Sequence, residues 1–135
     1  MQGSLNFKEV FSLPITSIPT AEFGDYLNVI QDLNPDIALL PLRNNLFNMS
    51  KSNLKYCQMS LLESACVASD VGPYSFINNK VNGIKVSSCD EWVGAISELV
   101  ENDKLRNSII SNAKDYTLQN YSLEKFLNVW KDLIS

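Results

Sequence analysis

Apolar residues along this chain change their spacing several times, from stripes at helical intervals to short continuous runs. The first stripe predicts a helix that ends at Asn34-Pro35, because proline disfavours helical backbone in the residue before it. A continuous run, DIALLPL at residues 36 to 42, is typical of a strand buried on both faces of a parallel sheet. After the polar segment RNNLFNMS, a second stripe predicts a helix from about Ser52 to Glu63.

The second half of the chain continues this alternation of strands and helices. Cys66–Ala68 and Ile84–Val86 are short apolar runs and are predicted as strands. Ser88 and Glu91 have capping-box spacing at the start of a third helix. Two more helices follow, and the last is predicted at about residues 122 to 134, packing back on the domain.

Strands that alternate with helices predict a parallel sheet covered by helices on both faces, which makes a three-layer α/β fold. The whole chain, residues 1 to 135, is predicted to be a single domain. Ligands of such sheets bind beyond the carboxyl ends of the strands, here the loops 43–51, 69–73 and 87–89. Neither GxGxxG nor GxxxxGK[ST] occurs, so neither the dinucleotide fingerprint nor the P-loop explains the site.

Composition and charge exclude several classes of function. Hydrophobic residues make up 45% of the chain and charged residues 19%, which is typical of globular proteins. The formal net charge is -4, and its 11 basic residues are scattered among 15 acidic ones, which argues against nucleic acid as a partner. The sequence has neither a long apolar run nor a signal-peptide pattern, so a cytoplasmic location is predicted.

The sequence contains no histidine, which removes the commonest general base, the Ser-His-Asp and Cys-His arrangements and the usual zinc ligands. Its three cysteines lack CxxC spacing, which favours reduced thiols over disulfides or a zinc site. No metal site is therefore predicted. Any chemistry must use carboxylates, lysines, backbone amides or the substrate itself.

The most informative segment is KSNLKYCQMSLLESACVASDVGPY, residues 51 to 74. It is predicted to run through a loop, a helix, a strand and a second loop. Lys51, Ser52 and Lys55 surround the start of the helix, where backbone amides and positive charge can bind phosphate.

Taken in order, the segments DIALLPL, KSNLKY, VASDVGPY, VNGIKV, DEW and NYS resemble the C-terminal half of group 1 glycosyltransferases of the GT-B architecture. The resemblance covers roughly residues 20 to 130 and is closest to bacterial members that build surface polysaccharides. It implies a Rossmann-like domain that is one half of a GT-B fold. It also implies a nucleotide-diphosphate sugar as donor, a missing N-terminal acceptor domain, and transfer with retention that requires no metal or other cofactor.

The resemblance also assigns site residues, without a catalytic one. The loop Asn48 to Asn53 and the helix after it are expected to contact the donor diphosphate, with Ser50, Lys51 and Ser52 nearest. Lys51 or Lys55 would add a point charge, and the alternative is that both are ordinary solvated lysines. Gly72 would let the backbone approach the donor closely, or would serve only the strand-to-helix turn.

Four positions depart from the pattern of the family. Many relatives carry two glutamates separated by seven residues, and these positions read Ser50 and Gln58 here. Gln58 can still hydrogen-bond a ribose but offers no charged acceptor. Glu63 and Ala65 stand where the family has Gly and Pro, which predicts that the helix loses its left-handed terminal residue.

Three functions are therefore open. The first is the donor-binding domain of a retaining, hexosyltransferase-type glycosyltransferase in bacterial polysaccharide or glycoconjugate synthesis, with no turnover by these 135 residues alone. The resemblance also allows peripheral membrane association of the full-length enzyme. The second is a non-catalytic glycosyltransferase-like interaction module. The third, a flavodoxin-like or receiver domain, ranks last because the acidic cluster of a receiver is missing from the strand ends.

Overall fold

The structure, a computed structural model, describes residues 14, 16, 18, 19 and 22–134. The chain divides into two compact units, Met1–Asp32 and Leu33–Ser135. Helix α1, Phe23–Leu33, lies almost entirely in the first unit. The predicted end of this helix is confirmed, because Asn34 follows it with a left-handed backbone (φ 42°) directly before the proline.

The second unit is built on a parallel sheet. Its strands are β1 (Ile37–Leu40), β2 (Ala65–Ser69) and β3 (Ile84–Val86), in the order β1-β2-β3. The central strand β2, of sequence ACVAS, is buried along its whole length, as expected of a parallel strand between two neighbours. The three predicted strands are confirmed, although β1 is not buried on both faces, because Leu39 is half exposed. The α/β arrangement is compatible with a Rossmann-like fold.

Six α-helices and one 3₁₀ turn are found in the described part of the chain. After α1 they are α2 (Leu46–Met49), α3 (Leu54–Leu61), the 3₁₀ turn Gly72–Tyr74, α4 (Cys89–Glu101), α5 (Asp103–Tyr121) and α6 (Leu123–Ile134). The short helix α2 was not predicted, since its segment was interpreted as a polar loop. None of the described helices combines the length and the apolar character that crossing a membrane requires.

The predicted capping box at the start of α4 is confirmed, with a shift of one residue. The Ser88 hydroxyl accepts a hydrogen bond from the Glu91 amide at 3.3 Å. The Glu91 carboxylate accepts in return from the amide of Ser87, at 2.6 Å, one residue earlier than in the standard box. These two bonds satisfy amides at the helix start that have no partner within the helix.

One hydrophobic core joins the sheet to helices α4 and α5. Alternate residues of β2, Ala65 and Val67, meet residues of β3 and the fully buried Leu99 and Ile109 from the two helices. Helix α3 packs against β2 and also against α5. These contacts fix the position of α3 relative to the sheet and to α5.

Helix α3 ends differently from the prediction. Although glutamate replaces the usual glycine, Glu63 adopts the left-handed conformation (φ 60°). Ser64 donates its amide to the carbonyl of Met59 at 3.0 Å, which closes the helix end. The prediction that the helix loses its left-handed terminal residue was wrong, because the backbone keeps this geometry at the steric cost of a side chain.

Relieving that strain should stabilise the protein. Glu63 also pairs with Lys114, whose hydrogen bond lowers the pKa of the Glu63 carboxyl. Because replacing Glu63 would also break this surface ion pair, the substitution is compared in a Lys114→Ala background that lacks it. In that background Glu63→Gly is expected to raise Tm by about 2–4 °C, measured by circular dichroism.

Asp115→Gly is the matched control for this prediction, because Asp115 is an exposed acidic residue inside helix α5. It should lower Tm, since glycine weakens a helix interior. An equal loss of Tm in both variants would contradict the account of the helix end.

Candidate functional site

The loop between β1 and α3, which carries the predicted phosphate-binding residues, is held by asparagine side chains. Asn45 caps helix α2 by accepting a hydrogen bond from the Asn48 amide at 2.8 Å. The buried Asn48 donates its side-chain amide to the carbonyl of Arg43, also at 2.8 Å. These bonds give the loop that contains helix α2 a defined conformation.

Ser50 and Lys51 lie at the end of α2 and are exposed. The Ser50 hydroxyl donates to the carbonyl of Leu46 at 3.2 Å. The Lys51 ammonium lies 4.9 Å from the centre of the Phe47 ring, within the range of a cation–π interaction. Both side chains are thus directed toward α2 in this structure.

The N-terminus of α3 is capped differently from those of its neighbours. Asn53 occupies the N-cap position, yet its side chain bonds to no amide of the helix. Its amide group donates instead to the hydroxyl of Tyr121 at the end of α5, at 2.8 Å. In contrast, α2, α4 and α5 each have a side-chain cap, from Asn45, Ser88 and Asn102. The first amides of α3 thus lack a capping side chain, and Lys55 lies exposed on the first turn.

A groove of about 430 Å³ lies between α3 and α5 and includes this helix start. Three of the predicted site residues, Ser52, Asn53 and Gln58, line it. Much of the remaining wall is apolar and includes Leu54, Leu61 and Tyr121. The groove, called the α3–α5 groove below, carries no charged residue in its walls, so any positive charge for an anion must come from its rim.

Gln58, one of the residues that line this groove, has an unsatisfied acceptor. Its Oε1 atom is buried and, within the described part of the chain, has no hydrogen-bond partner. A buried acceptor without a donor costs about 1–3 kcal/mol, so a rotation of the side chain that brings this oxygen to a hydroxyl or amide in the groove would be favoured.

The thiol groups near the groove are not poised for nucleophilic chemistry. Burial raises the pKa of Cys57, which lines the groove, above its ordinary value. Burial also raises the pKa of Cys66 to about 12. Both thiols therefore stay protonated at neutral pH, and the groove offers binding contacts in place of an activated nucleophile.

Gly72 is not part of the α3–α5 groove walls. A Cβ atom at this position would lie 3.0 Å from the Met49 carbonyl oxygen, so the glycine permits close contact between the 3₁₀ turn and α2. Pro73 follows within the turn, as predicted for a strand-to-helix turn. This close contact favours a glycine on structural grounds alone, and a role of Gly72 beside a donor stays a prediction.

A second, polar cavity of about 280 Å³ lies where the three strands end. It is lined by Asn44, Ser69, Asp70 and Ser87, together with Trp92 and three aliphatic residues. The Ser69 hydroxyl accepts from the Leu42 amide at 2.8 Å, and Asp70 pairs with Lys85 at 3.5 Å. None of the predicted site residues lines this cavity, although the three loops predicted at the carboxyl ends of the strands do contribute to it.

The described residues contain no group of three or more His, Cys, Asp or Glu side chains that could hold a metal ion. Comparisons of the sequence with protein-family models and with curated proteins, and of the fold with solved structures, gave no match.

Proposed function

We propose that this chain is the donor-binding domain of a retaining glycosyltransferase, and that it holds the nucleoside diphosphate of a nucleotide sugar. In this proposal its sheet and helices form a three-layer, Rossmann-like half of a GT-B fold that serves bacterial polysaccharide or glycoconjugate synthesis. One observation carries the proposal. Ser52, Asn53 and Gln58, which the resemblance assigns to the donor, line one groove, and the buried Oε1 atom of Gln58 lacks a hydrogen-bond donor.

The start of α3 supplies what a diphosphate requires. Its first-turn amides lack a side-chain cap, and the helix dipole favours negative charge at this end. Lys51 and Lys55 are exposed on either side of the helix start and would add positive charge at the rim. Together these groups would stabilise the charge that develops on the leaving diphosphate during glycosyl transfer.

In the proposal, Gln58 would bind the nucleoside. It follows Asn53 by five residues, which is about 7.5 Å along a helix and comparable with the reach from a diphosphate to the ribose of the same nucleotide. A ribose hydroxyl would donate to the unpaired Gln58 oxygen. The missing N-terminal domain would supply the acceptor site, so the isolated chain is expected to bind a donor without turning it over.

The proposal predicts opposite effects of Gln58→Met on stability and on binding. Affinity for uridine or guanosine diphosphate should fall about fivefold to tenfold, because one hydrogen bond to the ribose is lost. The free energy of unfolding should stay equal or rise by about 1 kcal/mol, because methionine removes a buried acceptor that has no donor. Calorimetric titration and urea unfolding measure the two effects.

Gln119→Met is the matched control, since Gln119 is exposed on α5 and lies outside the groove walls. It should leave nucleotide affinity unchanged. If Gln58→Met destabilises the fold and leaves binding unaltered, the proposed role of Gln58 is wrong.

A non-catalytic interaction module is the second candidate. The apolar wall of the groove favours it, since Leu54 and Leu61 are half exposed there and could contact another protein. Under this alternative no nucleoside diphosphate binds at millimolar concentration, and Gln58→Glu, which restores the glutamate of the family, does not create binding.

A further inference from the structure

Asn53 has the residue type and the position of a helix cap but does not act as one. At the same position before α2 and α5, Asn45 and Asn102 accept hydrogen bonds from the amide three residues later, at 2.8 Å and 3.0 Å. The equivalent amide of α3 belongs to Tyr56, and the Asn53 side chain does not bond to any amide of this helix. The asparagine before α3 therefore differs in its conformation from those before the two other helices.

The hydroxyl of Tyr121 holds the Asn53 side chain away from the helix. It accepts a hydrogen bond from the Asn53 side-chain amide at 2.8 Å, although the two residues lie 68 positions apart. The Asn53 backbone (φ -86°, ψ 21°) also lies outside the extended region that Asn45 adopts at its own cap (φ -149°, ψ 164°). Both the side chain and the backbone of Asn53 are thus in a conformation that does not cap α3.

A series of aromatic contacts fixes the position of the Tyr121 hydroxyl. The ring of Tyr121 lies 6.3 Å from the ring of Tyr116, earlier on α5. Tyr116 stacks on Phe76 at 5.0 Å, with an angle of 4° between the ring planes, and Phe76 packs edge-on against the fully buried Tyr56 at 4.8 Å. Because these contacts join the end of α5 to the buried side of α3, packing holds the hydroxyl beside Asn53 in addition to its own hydrogen bond.

We propose that Tyr121 is a positioning residue, whose hydroxyl withholds Asn53 from the N-cap of α3 and so keeps the first amides of this helix open to an anion. The inference rests on the proposed function, in which those amides bind the donor diphosphate. It adds the end of α5 to the site, since Tyr121 lines the α3–α5 groove beside Asn53.

The competing conformation gives this contact its importance. Without the Tyr121 hydroxyl, Asn53 would be free to turn and accept from the Tyr56 amide, as Asn45 and Asn102 accept in their helices. A cap of ordinary strength would favour this capped state about fivefold. The apparent affinity of an anion falls in proportion to the population of the uncapped state, so the cap would weaken diphosphate binding.

Tyr121→Phe tests the inference, because phenylalanine keeps the ring and removes only the hydroxyl. In the protein without ligand, exchange of the Tyr56 amide hydrogen, measured by NMR, should slow about fivefold as Asn53 caps it. The affinity for uridine diphosphate, measured by calorimetric titration, should fall by a factor of about three to five. Exchange of the Leu105 amide, which Asn102 caps, should stay unchanged and serves as an internal control.

Asn53→Ala provides the background that separates positioning from packing. Alanine cannot cap α3, so in this background Tyr121→Phe should change neither the exchange of the Tyr56 amide nor the affinity for uridine diphosphate. If Tyr121→Phe had the same effect with and without Asn53, the inference would be overturned, because a hydroxyl that only supports the fold would act independently of Asn53.

The donor proposal can be judged separately, since hydrogen exchange requires no ligand. Slower exchange at Tyr56 together with weaker nucleotide binding supports both proposals. Slower exchange in a protein that binds no uridine diphosphate supports the role of Tyr121 and contradicts the donor site alone. Unchanged exchange in Tyr121→Phe overturns the positioning role, whether or not the nucleotide binds.

Discussion

Replacing Tyr56 with alanine is expected to lower the free energy of unfolding by about 3–5 kcal/mol. Tyr56 lies on α3 and is fully buried. Its ring packs edge-on against Phe76 at 4.8 Å and against Tyr116 at 6.4 Å between ring centres. Its hydroxyl donates to the carbonyl of Asn82 at 2.7 Å. The substitution would open a cavity beneath the helix that carries the proposed donor site, and urea unfolding measures its cost.

Tyr56→Phe is the control that separates packing from hydrogen bonding. Phenylalanine keeps the ring contacts but leaves the Asn82 carbonyl oxygen without its donor, so a loss of about 1–2 kcal/mol is expected. If the alanine and phenylalanine variants were equally stable, the ring would contribute little and the account of this contact would be wrong.

The second large effect is expected at Leu99, which lies fully buried in the cluster between α4, α5 and the sheet. Leu99→Ala should cost about 3–4 kcal/mol, because the lost apolar transfer energy and the remaining cavity add together. The change should appear as a lower urea midpoint with an unaltered slope.

Val100 provides a control on the same helix, since the next residue along α4 has 59% of its surface exposed. Val100→Ala should change the free energy of unfolding by no more than about 0.5 kcal/mol. A similar cost at both positions would contradict the assignment of the core to the inner face of α4.

The sequence predicted the sheet well because its strands are short and continuous apolar runs. Strand β3 has its predicted ends, and β2 extends one residue further at each side than predicted. A short continuous apolar run that is followed by a helical stripe is typical of a parallel α/β sheet, so the assignment of these segments as strands had few alternatives. The cap of α4 was predictable for a similar reason, since Ser88 and Glu91 act through local bonds.

Helix α2 and the end of α3 could not be predicted in the same way. The apolar residues of α2 face solvent, so its pattern shows no buried stripe, and its conformation depends on bonds from Asn45 and Asn48. At Glu63 the side chain argues against a left-handed backbone, but hydrogen bonds that close the helix impose it. In both cases the surrounding structure overrides a local preference.

Of the predicted site residues, three around the start of α3 line one groove and the others do not. Ser52 and Asn53 lie just before α3 and Gln58 lies on its second turn, so their closeness along the chain brings them to one groove. Tyr121, which bonds to Asn53, lies 68 residues away, and no spacing rule could supply that contact. The same holds for Gly72, whose neighbour is Met49.

Backbone amide shifts during a titration with uridine diphosphate test the proposed donor site most directly. The amides of Ser52 to Tyr56 and the side-chain amide of Gln58 should shift together as the nucleotide reaches millimolar concentration. Unshifted amides at the start of α3 would contradict the assignment. Shifts confined to Ser69 and Ser87, in the polar cavity at the strand ends, would place the ligand elsewhere and contradict it equally.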